Sequence, residues 1–130
     1  MSSTEVTGWR ERPDDGMSSS IEQRDGFDVI RLSGELDVSS TAGVRAAVDA
    51  LVIDEARVHL VVDLTEVIFM DSSGLGTLVR AQRRCRGLRG SFAVVCPDGP
   101  VLRVITLTGL LRVLRVFDTL DAATSEPPPA

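Results

Sequence analysis

The sequence predicts a one-domain α/β protein in which helices pack against a mixed β-sheet. Three observations predict it. Two strand-like segments are joined by Asp25-Gly26, strand and helix patterns alternate after them, and a run at residues 58–64 is nearly all apolar and β-branched. A length of 130 residues fits a single domain. A chain of that size buries roughly two-thirds of its unfolded surface, enough to fold without a metal or a disulfide.

Residues 1–18 are rich in Ser, Glu, Arg, Asp and Gly without apolar periodicity, and are expected to form a disordered tail. Residues 19–24 and 27–32 read as two strands. Asp25-Gly26 between them is a two-residue hairpin signal, because such a turn needs positive φ and Gly supplies it at little cost. Gly34 is expected to break the second strand. Ser39, Ser40 and Thr41 are candidate N-caps for a helix whose Val44, Ala47, Val48, Leu51 and Val52 form one apolar stripe. The run 58–64 fits a strand of a parallel sheet, buried on both faces; residues 67–70 continue it as a loop or short extension.

Residues 73–86 are helical, with Leu75, Leu78, Val79 and Cys85 inside. Arg80, Arg83, Arg84 and Arg86 lie outside, toward the C-terminal half where the helix dipole favours cations. Gly87 and Gly90 end this helix. Residues 91–96 read as a strand, Pro97-Asp98-Gly99-Pro100 as a turn, 101–108 as a short helix closed by Gly109, and 112–117 as a last strand. Residues 118–123 begin a final helix that Pro127-Pro128-Pro129 cannot continue. The folded part is therefore expected at 19–123, followed by a disordered Pro-rich tail at 124–130.

Composition narrows the function. Apolar residues make up 43% and charged residues 25%, ordinary for a soluble globular chain. With four Phe, one Trp and no Tyr, the core is aliphatic. Every basic residue is Arg, which rules out lysine chemistry such as a Schiff base or a P-loop lysine. A net charge of −5 with few aromatics makes a poor nucleic-acid binder, so no direct nucleic-acid partner is expected. No apolar run is long enough to span a membrane, and the N-terminus has no secretory h-region. Cys85 and Cys96 read as free buried thiols of a cytoplasmic protein.

The most informative stretch is Met70-Asp71-Ser72-Ser73-Gly74-Leu75-Gly76. A buried strand runs into small polar residues that open a helix, where unpaired N–H groups and the positive end of a dipole can seat an anion or a seryl phosphate. The plainer reading is that Asp71, Ser72 or Ser73 caps the helix and the glycines permit close packing. Nucleotide binding lacks the third glycine of G-x-G-x-x-G and any G-K-[ST]. Neither serine sits in G-x-S-x-G, and the single His59 lies mid-strand, so a serine hydrolase is not expected. One His and two separated Cys offer no metal site, and no cofactor is expected. A second stretch, Gly34-Glu35-Leu36-Asp37, precedes the first helix. In a parallel layout, strand ends and helix starts gather on one edge, which brings Asp37 near Asp71 and Ser73.

These stretches together resemble the STAS-domain anti-sigma factor antagonists over about residues 21–123. The resemblance rests on Val29-Ile30-Arg31-Leu32-Ser33-Gly34-Glu35-Leu36-Asp37, on Val62-Asp63-Leu64 and on Phe69-Met70-Asp71-Ser72-Ser73-Gly74-Leu75-Gly76, with weaker agreement at Thr108-Gly109-Leu110. It implies a mixed sheet with helices on one side and a phosphorylatable serine, Ser73, at the start of the second helix. It also implies a partner-binding surface including Asp37, Asp71, Ser72, Gly74 and Leu75. The implied bacterial protein is not an enzyme. Unmodified, it binds an anti-sigma factor that is also an ATP-dependent serine kinase and so frees a sigma factor; phosphorylation breaks the complex and a serine phosphatase resets it. The alternative is a STAS adaptor that is never phosphorylated, in a signalling scaffold or a transporter-associated complex. The sequence departs from the family in a slightly longer segment at 38–42 and in a longer N-terminal tail.

Overall fold

The computed structural model describes residues 5–12 and 17–128. Six strands form one sheet in sequence order: β1 (Glu5–Arg12), β2 (Met17–Arg24), β3 (Phe27–Leu36), β4 (His59–Met70), β5 (Ser91–Val95) and β6 (Val116–Phe117). β1, β2 and β3 pair antiparallel, and β3 to β6 pair in parallel. The helices are α1 (Thr41–Asp49, prolonged by a π-turn at Ala50–Asp54), α2 (Ser72–Gly87), α3 (Pro100–Leu107) and α4 (Leu120–Ala123).

The β2–β3 turn forms as its residues dictate. Asp25 and Gly26 both have positive φ, 53° and 90°, the pairing that matches the right-handed twist of a hairpin. β4 is, with β3, one of the two middle strands: its Leu60, Val61, Val62 and Leu64 are buried, so both of its faces are covered. One face carries the main core, where Ile30, Leu32, Leu60, Val62 and Val94 meet Val44 and Val48 of α1, Leu78 of α2 and Ile105 of α3. Fully burying a side chain of this size stabilises by about 1.5–3 kcal/mol. The opposite face holds a smaller cluster of Phe27, Val29, Val61, Ala93 and Val95 under Leu120 and Ala123.

The α/β class and the mixed sheet agree with the sequence reading, and three helices share one face; the single turn of α4 lies on the other. Other elements differ. Gly34 does not end β3. Its φ of 112° accompanies a shift in the β3–β4 register, and the strand continues to Leu36. Residues 67–70 belong to β4. The strand expected over 112–117 shrinks to Val116–Phe117, because Leu110–Arg112 form a 3-10 turn.

Both expected tails are partly ordered. Glu5–Arg12 is an edge strand on β2; backbone pairing with an open edge needs no apolar alternation in the added strand. Thr124 is buried and its hydroxyl donates to the Leu120 carbonyl. Pro128 lies against Gly26, where an added Cβ would come within 3.0 Å of its ring. Residues 1–4, 13–16 and 129–130 of the expected tails lie outside the described residues.

Candidate functional site

The site is assembled where β3 and β4 end side by side. Parallel pairing sets Leu36 opposite Met70, so the next residue of each strand, Asp37 and Asp71, leaves the sheet beside the other. Asp71 is the N-cap of α2 in extended conformation. Its Oδ1 accepts from the Ser73 amide at 3.0 Å and the Gly74 amide at 3.1 Å, while its carbonyl accepts from the Leu75 amide at 3.1 Å. Two of the four orphan N–H groups at this helix start are therefore satisfied by the Asp71 side chain.

The Ser73 hydroxyl donates to the same Oδ1 at 2.6 Å. This hydrogen bond holds the Asp71 carboxyl below the usual carboxylate range, assisted by the amides of Gly74, Ser73 and Val38 and opposed by partial desolvation. Asp71 also straddles Asp37. Its amide donates to the Leu36 carbonyl at 3.3 Å, and its carboxylate accepts from the Val38 amide. The expected approach of Asp37 to Asp71 and Ser73 thus has a concrete cause, a clamp on the two residues flanking Asp37.

Asp37 makes its own turn. Its Oδ1 accepts from the Ser39 amide at 3.0 Å and the Ser39 hydroxyl at 2.7 Å. Buried Ser40 donates to the Glu35 carbonyl at 2.8 Å and accepts from the Asp37 amide at 3.0 Å, which locks the loop. Ser72 is exposed and Ser73 half-buried. Gly74 and Leu75, expected on the partner-binding surface, are both buried. At Gly74 an added Cβ would meet the Leu36 carbonyl oxygen at 2.6 Å and Met70 Cγ at 2.7 Å, so this glycine lets the helix start sit against β3. Leu75 joins the main core.

A model of the STAS domain matches residues 18–123. The chain belongs to the STAS-domain family. Among its relatives, the anti-sigma F factor antagonist of Paenibacillus polymyxa is 32% identical over 82% of this chain and 91% of that protein. The crystal structure of an anti-sigma factor antagonist from Mycobacterium paratuberculosis superposes with a TM-score of 0.78 at 31% identity, covering 86% of this chain and 94% of that one. The Bacillus cell-fate determinant SpoIIAA, solved in its phosphorylated form, superposes with a TM-score of 0.64 at 25% identity over 82% of this chain and 96% of its own.

In this STAS domain the site has members that sequence reasoning missed. Val38 contributes an amide to Asp71, and its side chain is 77% exposed. Ile68 and Phe69, in the stretch expected to continue the strand as a loop or short extension, are exposed near the end of β4. Gly76 faces open space. Residues not gathered at the site include His59, at the opposite end of β4, where its Nδ1 pairs with Ser91 Oγ at 2.9 Å across neighbouring strands. Cys85 and Cys96 are buried, which pushes both thiols up to about 11; thiols in such surroundings are poor nucleophiles.

Proposed function

We propose that this chain is a non-catalytic anti-sigma factor antagonist, acting in the cytoplasm, whose Ser73 is the phosphoacceptor of a partner-switching circuit. One observation carries the reading: the Ser73 hydroxyl sits at the first turn of α2, held by Asp71, one step beyond the end of β4. Similarity to named anti-sigma factor antagonists over most of both chains supports it. A partner of this kind is an anti-sigma factor that is also an ATP-dependent serine kinase, opposed by a serine phosphatase. Asp37, Asp71, Ser72 and Val38 supply the surface around the acceptor.

The cap geometry bears on how the switch works. A phosphate at a helix N-terminus is normally drawn to the free N–H groups there. Here the Ser73 and Gly74 amides are already taken by the Asp71 carboxylate, itself negative. A phosphoryl group on Ser73 is therefore repelled outward, toward whatever is docked. It carries about −1.5 to −2 charges at neutral pH. A partner carboxylate roughly 5 Å away at an effective dielectric of about 20 costs about 3 kcal/mol per unit charge. That weakens binding by about a hundredfold or more, without any refolding of the domain.

The test begins with isolation of the partner from native cells on a tagged chain, followed by its recombinant production. Incubation with ATP is expected to add one phosphoryl group, mapped to Ser73 by mass spectrometry, and to dissociate the complex. Ser73→Ala should remain bound in ATP. A phosphate found elsewhere, or release of Ser73→Ala by ATP, counts against the reading.

A further inference from the structure

The site at Ser73 leaves the second face of the sheet unused, and a cavity lies there. Past α4 the chain crosses this face as a strap, residues 124–128. Asp121 of α4 pairs with Arg24 of β2, Thr124 is buried, and Pro128 rests against Gly26 of the β2–β3 turn. Between strap and sheet is a cavity of about 220 Å³, with apolar walls from Phe27, Ala93, Phe117 and Ala123. Phe27 and Ser91, both on the cavity, are the first residues of β3 and β5. The cavity is therefore at the opposite end of the sheet from Ser73, which lies beyond the last residue of β4.

Two opposite charges line it. Arg115, just before β6, is exposed, and its guanidinium sits over the Phe117 ring, 5.3 Å from the centroid. Glu126 of the strap is exposed as well. Neither makes an ion pair among the described residues. An exposed ion pair closed directly between them would contribute little. The hydroxyls on the cavity are already engaged: Ser91 Oγ pairs with His59 at 2.9 Å, and Ser125 donates to the Ala122 carbonyl at 3.1 Å. One small volume thus offers a cation, an anion and an apolar wall, the few placed polar groups on an apolar lining that mark ligand sites.

We propose that this cavity binds a small α-amino acid with an apolar side chain. Arg115 takes the carboxylate, for which a planar guanidinium is suited. Glu126 takes the ammonium group, and the side chain of the ligand lies against Phe27, Ala93 and Phe117. Size sets the class. The volume is below the about 300–1,000 Å³ of sites for drug-sized ligands, which points to one small zwitterion rather than a nucleotide or a peptide. A molecule held at both charges bridges the start of β6 to the strap, and so fixes the strap on the sheet.

The probe is L-leucine, titrated into the full chain and followed by amide NMR. Shifts are expected at Ala93 and over residues 122–126, saturating with a Kd below about 1 mM. Two analogues of the same carbon skeleton separate the charges: 4-methylpentanoate lacks the ammonium group and 3-methylbutylamine lacks the carboxylate. Each should bind at least about tenfold more weakly. Arg115→Gln and Glu126→Gln should each weaken leucine by about tenfold. Both residues are exposed, so the melting temperature without ligand should stay at the wild-type value. In Arg115→Gln the preference for leucine over 3-methylbutylamine should vanish, since the group that reads the carboxylate is gone. The proposal is overturned by the absence of saturable shifts up to about 10 mM leucine, by shifts gathered around Ser73 instead, or by binding that both variants leave intact. Equal affinity for leucine and 4-methylpentanoate also overturns it, and would mark the cavity as a plain carboxylate site. None of these outcomes bears on the switch at Ser73, which phosphorylation by the partner tests separately.

Discussion

Two turns of this molecule use the same local device. After β3, the Asp37 carboxylate accepts from the amide and hydroxyl of Ser39 at 3.0 and 2.7 Å; after β4, the Asp71 carboxylate accepts from the amide and hydroxyl of Ser73 at 3.0 and 2.6 Å. The two turns lead into different surroundings. Asp71 abuts a sixteen-residue helix and also takes the Gly74 amide. Asp37 is separated from α1 by Ser40, the N-cap, which makes no side-chain cap bond and turns its hydroxyl to the loop instead. The aspartate–serine turn is thus common to both places, and the helix start with its bare glycines belongs to one. Ser39 is a built-in control for Ser73.

That comparison can be broken most directly by charge. Ser73→Asp is expected to cost about a hundredfold in affinity for the anti-sigma factor, while Ser39→Asp should change it by less than about threefold; calorimetry of the two variants measures this. Equal losses would mean that the helix start confers nothing special. The next effect concerns the residue after each serine. Gly74→Ala drives a Cβ into the Leu36 carbonyl and should destabilise the fold by about 1–3 kcal/mol. Ser40→Ala leaves the Asp37 amide and Glu35 carbonyl without that partner, at about 1 kcal/mol. Urea melts at constant m-value separate the two.

Protonation sharpens the comparison further. The Asp71 carboxyl is held low in the folded state by the hydrogen bonds from Ser73 and Gly74. A depressed folded-state value means that the stabilisation is complete above the unfolded carboxyl value of about 3.9. It is lost as pH falls through the lower folded value. The stability gap between wild type and Asp71→Asn should be constant above about pH 5 and close below about pH 4. Thermal melts across that range test it; a gap independent of pH would contradict the charged cap. The smallest effect is expected for Ser39→Ala, within about 0.5 kcal/mol of wild type, as for exposed surface changes generally.

Much of the site could be read from residue types. Asp25-Gly26 specified its turn, the β-branched run of β4 specified a buried strand, and small polar residues ahead of Leu75 specified a helix start. What escaped was carried by features without a residue signature. The Val38 amide that binds Asp71 is backbone, present at almost every position. Gly74 and Leu75 come with Ser72 as members of the motif that carries the resemblance, yet successive helical residues point about 100° apart, and these two are buried. β1 is polar and pairs through its backbone on an open edge. Gly34 read as a strand end because a strand glycine signals interruption; a bulge is the other thing it signals.

The position of the Ser73 hydroxyl, the proposed acceptor, has a consequence for how information would leave this molecule. Only Asp71 separates Ser73's helix from β4, and that aspartate is tied to β3 as well. The oxygen is thereby mounted directly beside a strand buried on both faces, so its modification should leave amide exchange rates throughout the sheet as they were. Under the proposed switch the message is written at the exterior as a change of charge, legible only to a molecule already close enough to touch it.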